Sequence, residues 1–279
     1  MNTKTTLKEF SKCSQKIMLL FLFLWMVKGS AQTIDTSVAS AMNNVFSLLE
    51  KNRIPHDILL DYGFDFIDVP AFDGVLRSNN YMSIGNYKEL YNTIVSSCTA
   101  FGVTGIASPK LEYDEWRTLQ TQQNDLNKTT TTASVMLSGL LYNYSKFNTN
   151  ALSNNKISIV SGKYDDKYIS GVWQNPYDED ITFAIASSAL VINKATVKAT
   201  MPTTLWHSNA SISNIHIDFG NGTGYKNINN GASATTTYTV VGDYTWTYRV
   251  QLTNGQYKYS RQKVKVAQLI NVIPWANRQ

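Results

Sequence analysis

Cysteine is nearly absent from this sequence, with two in 279 residues, Cys13 and Cys98. Cys13 falls in an N-terminal segment expected to be removed, so no intrachain disulfide is available, and the fold has to rest on its hydrophobic core. Charge is sparse as well. At 16% charged residues, against ~25% for an average soluble protein, a coiled coil, a disordered tail and a nucleic-acid binder are all disfavoured. The three histidines, His56, His207 and His216, stand in no metal-ligating spacing. Neither a Gly-x-Gly-x-x-Gly nor a Walker A loop occurs, so no nucleotide is expected as a partner, and the Gly-x-Ser-x-Gly nucleophile elbow is missing too. Zinc and serine hydrolase chemistry are therefore not expected within this chain. A dispersed Ser/His/Asp set cannot be read from residue order, because such triads are defined by geometry, so the sequence leans away from an enzyme without deciding the matter.

The longest apolar run is Ile17 to Val27, 11 residues, short of the ~20 that a membrane-spanning helix needs. Lys4, Lys8, Lys12 and Lys16 precede it and Gly29-Ser30-Ala31 follow it. This is the layout of a secretory signal peptide, with cleavage expected after Ala31. Cys13 lies before the run and so cannot be a lipoprotein cysteine. Residues 1–31 carry five of the lysines and one glutamate, which leaves 20 basic against 19 acidic side chains. The basic pI of about 9.0 thus belongs largely to the leader, and the totals give no support for a nucleic-acid surface. The expected destination is secretion or the cell surface, with no transmembrane span after signal cleavage.

What is plentiful is Tyr, with 16 residues, together with Thr and Asn, a β-rich extracellular flavour. Residues 32–123 read as a mixed helical region. Val38, Met42, Val45 and Leu49 share one helical face, and the helix is expected to end near Lys51-Asn52. A second helix is expected over Ile84 to Cys98, with Ile84, Tyr87, Tyr91, Ile94 and Cys98 as its stripe, which makes Cys98 a buried inert thiol rather than a nucleophile. A weaker one spans Tyr113 to Leu126. Between the first two helices, Ile58, Leu60, Tyr62, Phe64 and Phe66 alternate with acidic residues, as in a strand with one apolar and one acidic face; a helix would also put Asp57, Asp61, Asp65 and Asp68 on one side, though Gly63 weakens it, so the periodicity leaves both open. Asp57, Asp61, Asp65 and Asp68 form a candidate acidic cluster, extended by Asp73. Carboxylates so spaced suit Ca²⁺ or an acid/base pair, although solvated aspartates are the commoner outcome; Ca²⁺ is weakly supported and no other cofactor is expected.

Residues 124–134, with Thr129 to Thr132, read as a linker. Residues 135–193 form a β-rich region, with short strands expected at about 134–145, 156–161, 164–170, 181–186 and 190–201. From 194 to 267 the alternation is strong. Ile215, Ile217 and Phe219 oppose Asn214, His216 and Asp218, while Tyr244, Trp246, Tyr248, Val250 and Leu252 oppose Thr245, Thr247, Arg249 and Gln251. On the last strand Val264 and Val266 point one way, and Tyr257, Tyr259, Arg261, Lys263 and Lys265 the other. Tyr257, Tyr259 and Arg261 are candidate ligand-binding residues, since exposed Tyr beside Arg can stack on sugars or on a partner protein. Residues 268–279 are a C-terminal tail.

Ile217-Asp218-Phe219-Gly220-Asn221-Gly222, followed by Thr237 to Val250 with Gly242-Asp243-Tyr244, resembles the PKD (polycystic kidney disease) domain pattern, in which a strand ends in Asp-Phe-Gly-Asp-Gly and a later Gly-x-Tyr opens another. Ile217 stands where the family prefers Trp, and Asn221 replaces the second Asp; Asn-Gly keeps the tight turn but removes a carboxylate that Ca²⁺ would use. The resemblance implies an immunoglobulin-like β-sandwich serving as a spacer, adhesion or carbohydrate-associating module. Ser30-Ala31-Gln32 and Ile54 to Gly63 are similar to N-terminal regions of large exported Bacteroidetes proteins, which implies the front end of a longer precursor. The expected architecture is α+β overall, a small helical or mixed N-terminal region followed by a β-rich region ending in an Ig-like sandwich. The expected function is an exported non-catalytic adhesion, spacer or binding module with an extracellular glycan or surface protein as partner. The alternative is the N-terminal accessory part of a secreted glycan- or ester-directed hydrolase whose catalytic domain lies mostly outside this chain.

Overall fold

A computed structural model describes residues 36–99 and 106–269. The expected leader, residues 1–31, and residues 270–279 of the tail lie outside the described residues. The chain divides into two units, Met1–Asn44 and Val45–Gln279. In the first, the described residues form the body of helix α1 (Thr36–Val45). The helix stops well before Lys51-Asn52, because tertiary pairing takes over. Leu48 bridges in parallel to Asp165, and the Glu50 N–H donates to the Asp166 carboxylate at 2.5 Å.

In the second unit, α2 (Ile84–Ser96) matches its expected stripe, burying Tyr87, Leu90, Tyr91 and Ile94, and Ser83 caps it by accepting from the Asn86 N–H. α3 (Pro109–Thr129) starts at a Ser108 cap with Pro at its first position, the fixed φ of which suits a helix start. It runs through residues 124–129, so most of the expected linker is helix. Over 57–68, where the spacing suits either a strand or a helix, neither forms. That segment is a chain of short 3₁₀ turns, Pro55–Asp57, Leu60–Tyr62 and Val69–Phe72, broken by left-handed backbone at His56 (φ 63°) and Asp57 (φ 55°). Alternation alone could not reveal this, since the apolar residues here point into different neighbours.

The strands are β1 (Thr132–Phe147), β2 (Ile157–Val160), β3 (Lys163–Asp166), β4 (Tyr168–Ile169), β5 (Val172–Trp173), β6 (Tyr177–Ser187), β7 (Val191–Ile192), β8 (Thr196–Thr200), β9 (Trp206–Ser208), β10 (Ile212–Asp218), β11 (Tyr225–Asn227), β12 (Ser233–Thr237), β13 (Gly242–Leu252) and β14 (Tyr257–Val266). β2 and β3, and β4 and β5, are small hairpins. One five-stranded sheet has the order β12-β8-β1-β6, with β9 also on β1, and the other is β11-β10-β13-β14-β7. They face each other across a core that includes Leu137, Phe183, Ile217, Trp246 and Val264. The α+β class is as expected, but the boundary at 193/194 does not separate two bodies. β1, β6 and β7 come from before it, and each pairs with strands from after it or shares their core.

β1 is buried almost along its whole length because both of its faces are covered. Leu137 and Leu141 enter the sandwich, whereas Leu140, Tyr142 and Tyr144 meet α2 and the 3₁₀ segment in a second core. A strand covered on both sides reads as a continuous apolar run, not as an alternation. The second unit is thus layered, with helices and 3₁₀ turns on the outside of the first sheet and the second sheet on its inside. Where β6 passes β14, the buried Gln262 accepts from the Ser187 N–H at 2.8 Å and Ser260 from the Ile185 N–H at 3.2 Å, so side chains bridge the two sheets where no ladder does.

Candidate functional site

The second sheet leaves its outer face uncovered by the first, and the register decides what stands side by side there. His216 of β10 lies opposite Arg249 of β13, which lies opposite Tyr259 of β14. In the next row Tyr225, Asp218, Thr247 and Arg261 run across β11, β10, β13 and β14. Alternation puts all of these on the face away from Trp246, Tyr248 and Val250. One further residue comes from the helical layer. The Met82 N–H donates to the Arg261 carbonyl at 2.7 Å and the Tyr259 N–H to the Gly74 carbonyl at 2.8 Å, so the 74–82 segment lies along the free edge of β14 and carries Tyr81 to the end of the row. Gly74 has φ +83°, and a side chain there would collide with Lys258.

Cations and rings alternate on this face. The Arg249 guanidinium stacks 3.9 Å from the Tyr225 ring centre and 4.8 Å from that of Tyr257. Arg261 lies 4.1 Å over Tyr81, and the Lys263 ammonium 4.7 Å over the same ring. Tyr257 and Tyr259 sit 6.3 Å apart. Each cation is held by ring quadrupoles, worth ~0.5–2 kcal/mol per contact, and no ion pair to Arg249, Arg261 or Lys263 occurs among the described residues. Asp218, the carboxylate in the row, accepts from the Gly220 N–H at 2.8 Å within its own turn. The buried Nε of Arg249, Nε and Nη2 of Arg261, and Nδ1 of His216 have no hydrogen-bond partner. Burial and then the charge of Arg249 push the His216 imidazole below its ordinary pKa; burial raises the Tyr225 phenol, against the pull of Arg249.

The structure therefore brings Tyr257, Tyr259 and Arg261 together on one face, and adds Arg249, Tyr225, Tyr81 and His216. Alternation had already set Arg249 and His216 on polar faces. What it lacked was the register that joins those faces, and Tyr81 carried no local signal at all.

The aspartates are not gathered in the same way. Asp61 accepts from the Phe147 N–H at 2.8 Å, and burial raises its pKa against that bond. The Asp65 pKa is raised by burial and by neighbouring Asp68. Asp57 faces the Cys98 side, where its carbonyl accepts from the Thr99 N–H. Asp73 forms a two-point pair with Arg77 at 2.7 and 2.6 Å, which holds its carboxyl below the usual range. No group of three or more His, Cys, Asp or Glu side chains placed to hold a metal occurs among the described residues. The Cys98 thiol is pushed up to about 12 by burial and then by Asp57, and donates to the Ile94 carbonyl.

A second feature went unread in the sequence. Glu112, 6% exposed, faces a cleft of about 210 Å³ between α2 and α3 that is also lined by Lys88, Tyr91, Asn92, Pro109 and Tyr113. Burial pushes its carboxyl up to about 7 against the pull of Lys88, whose ammonium sits 4.4 Å over Trp116. Among the described residues its lining holds no second carboxylate, thiol or imidazole.

No family model and no curated protein matches this chain. Two solved structures align with 22% of it. Both are PKD domains. The PKD1 domain from the Vibrio cholerae metalloprotease PrtV is 32% identical over 69% of that domain's chain, with a TM-score of 0.18. The PKD1 domain of Vibrio anguillarum Epp is 21% identical over 68% of its chain, with a TM-score of 0.19. Among the described residues no helix is long and apolar enough to cross a membrane.

Proposed function

We propose that this chain is an exported, non-catalytic binding module, in an adhesion or spacer role, which docks an extracellular glycan or a surface protein on the outer face of β11-β10-β13-β14. The observation that carries the reading is the pair of guanidiniums, Arg249 and Arg261, stacked on Tyr225, Tyr257 and Tyr81 without a carboxylate partner. Flat ring faces beside rigid planar donors are recognition chemistry, and a sheet presents them without the entropy cost of ordering a loop. Export is supported by the lysine-rich n-region, the short apolar run and the small residues at 29–31.

Binding of the purified chain to a broad glycan array, beside a Tyr257→Ala/Tyr259→Ala double variant, tests this. Specific signals lost in the variant are the expected result. A blank array moves the partner to the protein class, and signals that survive in the variant remove the site from this face.

A further inference from the structure

We infer that the ligand of this face is anionic, an acidic polysaccharide whose carboxylate or sulfate groups are taken by Arg249 and Arg261 while its sugar rings lie on Tyr257 and Tyr259. The inference rests on the binding-module reading and gives it a ligand chemistry. Its basis is a charge deficit. Among the described residues neither guanidinium has an ion pair or a hydrogen-bond acceptor, and three of their nitrogens are already sealed from water beneath the rings. A buried donor without an acceptor costs about 1–3 kcal/mol, more when it is charged. Ring contact offsets part of that cost, and an anion on the open nitrogens would neutralise the charge, although the sealed donors stay unpaired. The other nitrogens, Nη1 and Nη2 of Arg249 and Nη1 of Arg261, are outside the set of buried unpaired atoms and have no acceptor among the described residues, so Arg249 is open to the two-point pairing that carboxylates and sulfates accept and Arg261 to a single charge-assisted bond.

Arg249 is opposite Tyr259, and Arg261 follows two residues along β14, which makes the two arginines diagonal neighbours at about 7–8 Å. Lys263 and Lys265 continue the row along the same strand, into a shallow cleft of about 330 Å³ where Asp243 stands opposite Lys265. A polysaccharide fits better than an acidic peptide. The strands beneath the arginines have their backbone groups engaged in the ladder, and the 74–82 segment takes up the edge of β14, so no strand can be added there. The rings of Tyr257, 37% exposed, and its neighbour Tyr259 offer what a sugar face needs.

The test measures affinities of the purified chain for dextran sulfate, uncharged dextran, polygalacturonate and poly-L-glutamate at fixed salt. The expected result is binding of dextran sulfate, polygalacturonate or both, at least tenfold weaker binding of dextran and polyglutamate, and a tenfold or greater loss in Arg249→Gln/Arg261→Gln. Which of the two acidic polymers is preferred identifies the anion as sulfate or carboxylate. Dextran bound as well as dextran sulfate, or an arginine variant that binds normally, overturns the inference while the glycan reading of the face stands. Polyglutamate bound as tightly as the acidic polysaccharides also overturns it, in favour of a peptide ligand. No binding to these polymers together with a blank glycan array fells the glycan reading as well. Should the arginine variant fail to fold, the His216 imidazole, followed by NMR in the wild type, reads the same question. Saturation with the bound polymer raises its pKa by placing an anion beside Arg249, and an unmoved titration overturns the inference.

Discussion

Glu112 shows how a single buried charge is tolerated and what it costs. Its carboxyl, ordinarily near 4.5, is pushed up to about 7 by burial, and Lys88 offsets only part of the shift. A raised acid pKa means that the native state holds a proton which the unfolded chain releases. The contribution of this one group to stability is therefore greatest below about 4.5 and is lost as pH rises through about 7, by roughly 2–3 kcal/mol. Glu112→Gln should remove this dependence and stabilise the chain at pH 8, as read by denaturant unfolding at pH 5 and pH 8; an unchanged pH profile would show that the carboxylate is well solvated. Trp246 is the opposite case, an apolar group whose one polar atom is satisfied. The ring is fully buried, edge-on to Phe219, and its N–H donates to the Tyr238 hydroxyl at 2.8 Å, which in turn donates to the Phe219 carbonyl at 3.0 Å. Trp246→Ala should cost about 3–5 kcal/mol through the cavity it leaves, and Tyr238→Phe about 1–2 kcal/mol by stranding the indole N–H. Thermal unfolding at the wild-type midpoint in both variants would contradict that chain.

Two element ends depend on contacts remote in sequence. Gly220, in the Asp218-Phe219-Gly220-Asn221-Gly222 turn that closes β10, has φ +69°, and a methyl there would sit 2.5 Å from the Thr245 carbonyl oxygen. Both the left-handed backbone and the close approach require glycine, so Gly220→Ala should destabilise by more than the ~1 kcal/mol of strain alone. Equilibrium unfolding measures the cost, and a neutral outcome would mean that the turn can shift. Asn221 donates to the Thr236 hydroxyl and the Thr237 carbonyl; it ties the turn to β12 by hydrogen bonds. At the far end of α3, Lys194 donates to the carbonyls of Asn127 and Thr130 at 2.6 and 2.5 Å. A cation at a helix C-terminus meets both orphan carbonyls and the negative end of the dipole. Lys194→Met should therefore speed hydrogen exchange at residues 125–130 while leaving β13 protected. Uniform protection in the variant would assign the lysine no capping role.

On the scale of the whole molecule, the consequential feature is that the sandwich begins at β1 and not at residue 194. β1 and β6 supply six of the 21 buried residues of that core, including Leu137, Leu141, Phe183 and Ile185. A fragment 194–267 should stay unfolded by circular dichroism and NMR dispersion, because its inner face would lie open and β8 would lack the strand it pairs with in parallel. A fragment 132–267 retains both sheets and should regain β structure; a folded 194–267 fragment would refute the single-sandwich account.

Local periodicity was enough to place α2, the existence of α3, most strands, the buried row of Trp246, Tyr248 and Val250, and the outward row of Tyr257, Tyr259 and Arg261, because each rests on side-chain directions that repeat every two or 3.6 residues. The expected leader, too, is read from contiguous residues. Which strands share a sheet is set by pairing across long stretches of chain, and that was not legible. Neither was the double burial of β1, nor the 3₁₀ path of 57–68, where alternating residues reach separate neighbours. The candidate site divides along the same line. Its tyrosines and arginines can be read one strand at a time, but the stacking of Arg249 between Tyr225 and Tyr257, and of Arg261 on Tyr81, depends on strand register and on the segment along β14, both of which only tertiary packing decides.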